Sequence, residues 1–228
     1  MPLVSINARP AAVEVDLARA AVLVNDMQNA FCAPSGYLDR IGFDIAPAAA
    51  TAAKVEQFCT AARAAGLPVV LMQNGFSPDY HEAPGPASPL WHKSNALRYM
   101  RAHPEEQGRI LTRGTWDYEL IETLRPQSGD LLIQKAADNG FAGTDLDRLL
   151  RARNINTVFV CGISSNVGVE SALRAAYHLG YFGIMVADAC MAVGPPFMQE
   201  ATEFNIASFF GWVASVHDIS ESFGSTKP

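Results

Sequence analysis

Three places in this 228-residue chain pair residue types that do chemistry with positions that could bring them together. Asn25-Asp26-Met27-Gln28-Asn29 closes the apolar run Ala20 to Val24, and Lys135 follows the run Leu131 to Ile133. Gly162-Ile163-Ser164-Ser165-Asn166-Val167-Gly168 follows Thr157 to Val160, with Cys161 between. In open parallel α/β sheets, ligands bind outside the carboxyl ends of the strands, so polar residues that end such runs are the first candidates. Asp26 beside Lys135 at a desolvated sheet edge would form a pair in which each keeps the other charged. Either could pass a proton once substrate enters. The same residues also admit a plain structural ion pair, or an aspartate that caps a helix.

The elements that must hold these residues are legible as periodicity. Ala20 to Val24, Pro68 to Met72, Leu131 to Ile133, Thr157 to Val160 and Gly183 to Val186 are too unbroken for burial on one face only, and predict central parallel strands. Helical patterns lie between them. Ala46 to Ala65 stops at Gly66, Thr144 to Arg153 opens on a threonine cap and is followed by Asn154, and Val167 to Leu179 stops at Gly180. Strand and helix alternate, so the class is α/β. A further strand around Ile206 to Phe210 and a short C-terminal helix would complete a three-layer α/β/α sandwich on a six-stranded, mainly parallel sheet. Asn74 to Arg113 is rich in Pro, Gly, His and Trp without sustained periodicity, too long for an ordinary connection, and such segments are usually functional. The length predicts one domain over residues 1–228, with the tail Gly224 to Pro228 frayed.

Composition narrows the partners. A net charge of -6, a pI near 5.3 and no cluster of Lys and Arg leave no electrostatic footprint for nucleic acid or anionic lipid. No apolar run nears the roughly 18 residues that span a bilayer, and Met1 to Glu14 lacks a basic start and a signal-type hydrophobic stretch, which predicts a cytoplasmic protein. Cys32, Cys59, Cys161 and Cys190 are widely spaced with no C-x-x-C pair, and read as structural free thiols. Without G-x-G-x-x-G or a Walker loop, no nucleotide cofactor is expected, and the predicted partner is a small-molecule substrate.

Over nearly its whole length the chain resembles the isochorismatase-like hydrolases, whose cysteine branch uses an Asp, Lys and Cys triad. The resemblance rests on Val24-Asn25-Asp26-Met27-Gln28-Asn29, on Leu131 to Lys135 and on the turn Gly162 to Ser171. Within that family it is most similar to the ureidoacrylate amidohydrolases of pyrimidine catabolism. Long irregular segments carry this finer likeness, among them Gly36-Tyr37-Leu38-Asp39, Gln73-Asn74-Gly75, the run Ser88 to Leu97, and Gly114-Thr115-Trp116-Asp117-Tyr118. Phe204-Asn205-Ile206 and Phe209-Phe210-Gly211-Trp212 extend it.

The resemblance implies a cofactor-free hydrolase in which a cysteine attacks a carbonyl carbon, the Asp moves the proton and the Lys stabilises the ion pair. Carried over, Asp26 is the base and acid and Lys135 its cationic partner. The nucleophile position is Gly168, which has no side chain to attack with. The implied oxyanion hole is the backbone N–H groups of Ser164 and Gly168, after a cis Ile163–Ser164 peptide. Three readings of Gly168 stand: an introduced inactivating change, a natural glycine as in the isochorismatase branch, where the acid protonates a vinyl ether directly, or a pseudoenzyme that binds without turnover. Cys161 is a poor substitute, because seven residues earlier lies back in the strand.

A second departure is Ala137, in a stretch where the ureidoacrylate enzymes tend to carry an Arg able to fork a carboxylate. An acid group on the substrate would then be read elsewhere, for instance by Lys93 or Arg98. Asn74, Phe76, Tyr80, Trp91, His92 and Asn95 are the candidate substrate-binding residues of the 74–113 insertion, which offers flat apolar contacts and amide donors for a planar ureido or acrylate group. Loop packing or a subunit contact would explain each of them equally. Asp79-Tyr80-His81 and His92 invite comparison with the nicotinamidases, which hold a metal through an Asp and two His, but the spacing differs, and no metal site is expected. Relatives form dimers or tetramers, and surface-prone aromatics such as Trp212 point the same way.

Overall fold

The computed structural model describes residues 3–224; the tail expected to fray lies outside the described residues from Ser225 onward. Two short strands, β1 (Val4–Ile6) and β2 (Val13–Val15), form an antiparallel pair of their own. The main sheet contains β3 (Ala20–Asn25), β4 (Val69–Asn74), β5 (Leu131–Lys135), β6 (Thr157–Ile163), β7 (Phe182–Met191) and β8 (Trp212–Ala214). Their order is β5-β4-β3-β6-β7-β8, and every neighbouring pair is parallel. β3 and β6 are buried at every residue, as expected of strands covered on both faces.

The helices are α1 (Asn29–Cys32), α2 (Tyr37–Arg40), α3 (Ala48–Ala64), α4 (Pro89–Lys93), α5 (Asn95–Ala102), α6 (Leu146–Ala152), α7 (Glu170–His178), α8 (Phe197–Asn205) and α9 (Val216–Gly224). α3 buries Ala48, Thr51, Val55, Phe58, Cys59 and Ala62, one stripe at helical spacing, and stops at Gly66 in the left-handed region. α9 lies against α3, where Phe223 stacks on Phe58 with ring centroids 6.1 Å apart. The crossovers from β3 to β4 and from β6 to β7 run in opposite directions along the sheet, and the right-handed rule for parallel crossovers then puts α3 and α7 on opposite faces.

Two elements differ from expectation. Ile206–Phe210 is not a strand but a wide helical turn continuing α8, and the sixth strand is Trp212–Ala214, just beyond it. Its β-branched and aromatic composition reads as a strand, but α8 carries on into it and only Ile206 is buried. The 74–113 stretch, read as aperiodic, contains α4 and α5, started by Ser88 and Ser94, whose hydroxyls accept from the N–H groups of Leu90 and Leu97.

The order reverses between β3 and β6, the place where an open sheet opens a crevice at its carboxyl end. Gly162 pins these strands there. It pairs with Asn25, has φ +108°, and a Cβ on it would come 2.1 Å from the Asn25 carbonyl oxygen. Between Val160 and Gly162 the pairing with β7 slips by a bulge, which re-aims the end of β6. Gly162→Ala is therefore expected to destabilise the fold by about 3 kcal/mol or more, read as a lowered midpoint in urea with unchanged slope.

Candidate functional site

Asp26 follows β3 with φ +50°, a sparsely populated conformation that Asp tolerates better than most residues and that is common at functional sites. Its Oδ2 accepts from Lys135 Nζ at 2.7 Å, and both side chains are essentially buried. The ammonium also donates to the carbonyls of Asp138 at 3.0 Å and Ala137 at 3.3 Å, so all three of its donors are placed. Burial pushes the Asp26 carboxyl up from 3.8 to about 6, against the pull of Lys135 and with a smaller push from the Asp138 charge. Asp26 is thus poised to change protonation near neutrality.

The β6 end runs through a cis Ile163–Ser164 peptide into a wide turn, Ser165–Val169, that feeds α7. The cis bond expected from the resemblance is present. Ser164 and Gly168 of this turn face Asp26 across a cavity of about 230 Å³. Gly168 does not need to be glycine for its backbone. A Cβ there would lie 3.3 Å from Asp26 Oδ2, 3.4 Å from Asn25 Nδ2 and 3.5 Å from the Asp138 carbonyl oxygen, and its φ is not in the left-handed region. Around that point three buried polar atoms have no hydrogen-bond partner among the described residues: Asp26 Oδ1 and both carboxamide atoms of Asn25.

The structure brings together Asp26, Lys135, Ser164, Gly168, Asn74 and Asn95; all but the buried Lys135 line the cavity directly. Lys93 lines it as well, whereas Arg98 faces a separate surface groove. The other insertion residues sit elsewhere. Phe76 is buried against Tyr80, with ring centroids 5.8 Å apart. The Tyr80 hydroxyl bonds Thr112 Oγ1 and accepts from the Gly108 N–H. Trp91 lies under Arg101 at 4.0 Å, and His92 Nε2 meets the Pro86 carbonyl oxygen. None of these four lines the cavity.

Sequence reasoning missed the apolar lining from outside the insertion, chiefly Phe31, Tyr37, Phe43 and Val193. One signal was available in Asp117. Its buried carboxylate accepts from the N–H of Tyr37 at 3.0 Å and of Leu111 at 2.7 Å, tying two wall segments to one anchor. Gln28 does similar work, donating to the Asn74 and Tyr118 carbonyls and accepting from the Asn74 N–H, and so fixes the end of β4. Asp79, His81 and Glu82 bring possible ligand atoms within 4.8 Å of one another, but none lines the cavity; Ser77 bonds all three, and Arg113 pairs with Glu82. His92 is not among them.

An α/β sheet with a buried Asp–Lys pair and a cis-peptide turn at its switch point defines a class, and the chain belongs to it: the isochorismatase domain family matches residues 20–218, and this is a hydrolase family. Among curated relatives, the chain is 48% identical over 224 residues to the ureidoacrylate amidohydrolase RutB of Agrobacterium fabrum, covering 98% of each chain. It is 49% identical over 225 residues to that of Caulobacter segnis, covering 99% of this chain and 94% of the relative. Of solved structures, a cysteine hydrolase from Pseudomonas syringae pv. phaseolicola superposes with a TM-score of 0.79 at 30% identity, covering 100% of this chain and 99% of the other. N-carbamoylsarcosine amidase from Thermoplasma acidophilum follows at 0.66 and 26%, covering 87% and 96%.

Proposed function

We propose that this hydrolase cleaves the C–N bond of a small ureido or amide compound of the ureidoacrylate type, in pyrimidine catabolism, with Asp26 moving the proton. The observation that carries the reading is the buried Asp26–Lys135 pair facing the Ser164–Gly168 turn across a cavity of small-metabolite size. In this reading Lys135 holds Asp26 in place and balances its charge. The backbone N–H groups of Ser164 and Gly168 take the oxygen of the tetrahedral intermediate, and Asp26 returns its proton to the leaving nitrogen. Asn74 and Asn95 present amide groups to the planar ureido part. Gly168 removes the thioester route but leaves the proton machinery and the backbone donors intact.

The test is release of ammonia from ureidoacrylate, biuret-like compounds and simple amides by the parent chain and by Gly168→Cys. Silence of both across the panel sinks the reading. A second reading is favoured by the raised pKa of Asp26: the acid form attacks an enol ether by protonating it, as in isochorismatase-type chemistry. The pH profile separates the two. A base gives kcat/KM that rises with pH through about 6, whereas an acid gives one that falls through the same value.

Lys93 takes the substrate's carboxylate in this reading, since it reaches the cavity and Arg98 does not. Lys93→Met is expected to raise KM for carboxylate-bearing substrates roughly tenfold or more and to leave KM for neutral amides within about twofold, as measured by steady-state kinetics.

Cytoplasmic placement suits four unpaired thiols, three of them buried. Among the described residues no helix is long and apolar enough to cross a membrane. Self-association into a dimer or tetramer is supported by exposed Tyr177, Phe182, Phe204 and Phe209, and light scattering at a monomer mass would contradict it.

A further inference from the structure

Asn25 is the least explained residue of the site. It ends β3 next to Asp26, its side chain is wholly buried, and neither its carboxamide nitrogen nor its oxygen has a partner among the described residues. An unpaired buried amide is destabilising, and leucine would fill similar space without that penalty. The orphaned atoms also cluster. Asn25 Nδ2 and the Asp26 carboxylate border the ground over Gly168 that a side chain there would fill, and Asp26 Oδ1 is likewise unpaired. Gly168, Asp26 and Ser164 all open onto the cavity. A water in that niche would have a donor, an acceptor and a carboxylate base around it, the two to four polar partners an ordered buried water needs.

We propose that Asn25 and Asp26 hold a water molecule over Gly168, and that this water attacks the substrate carbonyl directly, so that hydrolysis runs in this chain without an acyl-enzyme. The inference rests on the C–N hydrolase reading and supplies its nucleophile. In the step, the water oxygen bonds to the carbonyl carbon while one of its protons passes to Asp26. The carbonyl electron pair moves onto oxygen, facing the Ser164 and Gly168 N–H groups. Collapse re-forms the C=O bond and expels the nitrogen, which takes the proton back from Asp26. The products are an amine and a carboxylic or carbamic acid, the water supplies the only added atoms, and nothing is oxidised or reduced. Asn25 makes contact with the reacting water, orienting its lone pair toward the carbon and leaving the proton to Asp26.

The experiment combines kinetics with intact-protein mass measured during turnover of ureidoacrylate. The parent chain is expected to turn over slowly and carry no acyl adduct, while Gly168→Cys carries one. Asn25→Leu, which also removes an unsatisfied buried amide, is expected to fold at least as stably as the parent and lose kcat roughly a hundredfold, with KM changed little. Asn25→Ala is the second variant should the leucine not fit. In the Gly168→Cys background, where the thiol takes the place of the water, Asn25→Leu should cost less than about threefold. An acyl adduct on the parent chain, or full kcat in Asn25→Leu, overturns the proposal. Turnover by Gly168→Cys with none by the parent overturns it too but leaves the C–N hydrolase reading standing. No turnover by either overturns both.

Discussion

Gly168→Cys is expected to raise kcat/KM for ureidoacrylate-type substrates roughly a hundredfold or more over the parent chain, and to make the enzyme sensitive to thiol alkylation. The cysteine would enter a prepared place. Its Cβ lies 3.3 Å from Asp26 Oδ2, so the neighbours need give only a few tenths of an ångström, and the carboxylate stands where it can take the thiol proton. A thiolate is a far better nucleophile than water, and an adjacent base supplies it without an external one. The oxyanion donors belong to the backbone and survive the exchange. Gly168→Ala supplies the control, filling the same ground without a thiol. It is expected to fall below the parent chain, because the methyl group would crowd the niche and bring no nucleophile. Rates of ammonia release for the three proteins, with iodoacetamide inactivation of the cysteine variant alone, check the prediction.

Asp26→Asn carries the other large effect, and it acts on two quantities. Removing the proton carrier is expected to lower kcat by roughly a thousandfold. It also leaves the Lys135 ammonium buried among neutral oxygens with no counter-charge, at a cost of about 3 kcal/mol. The double variant Asp26→Asn/Lys135→Met should recover most of that stability and none of the activity, which separates the two roles. The pH dependence has a definite sign. The folded protein holds the Asp26 proton up to about 6, whereas the unfolded chain releases it near 3.8, so the folded state gains from this group at low pH. That gain is complete below 3.8 and is lost as pH rises through about 6. Urea midpoints recorded from pH 4 to 7 should therefore show a decline from this residue that Asp26→Asn lacks.

Much of the sheet and part of the site were legible in the sequence, for a physical reason. Strands covered on both faces must be apolar throughout, so Ala20–Asn25 and Thr157–Ile163 stand out, and the polar residues that end them mark the crevice. Asp26, Lys135 and the turn to Gly168 followed from that rule and from the family likeness. What escaped was set by tertiary context. Ile206–Phe210 has strand-like residues but continues a helix, because α8 runs straight into it. The cavity wall was only half legible, since Tyr37 at the start of α2, Phe43 just after it and the distant Val193 share no pattern with the insertion. Phe76, Tyr80, Trp91 and His92 had suitable chemistry at a suitable place in the sequence, yet their rings and polar atoms are taken up by neighbours in the insertion.

The contact between Gly162 and Asn25 has a consequence for how such an enzyme can change. Because β3 and β6 meet there without room for a methyl group, Asp26 and the turn opposite are held as one stiff frame. The part of the wall formed by α4 and α5 takes no part in the main sheet. Substrate preference can therefore drift, or be redesigned, by exchanging the wall alone while the frame's chemistry stays in register.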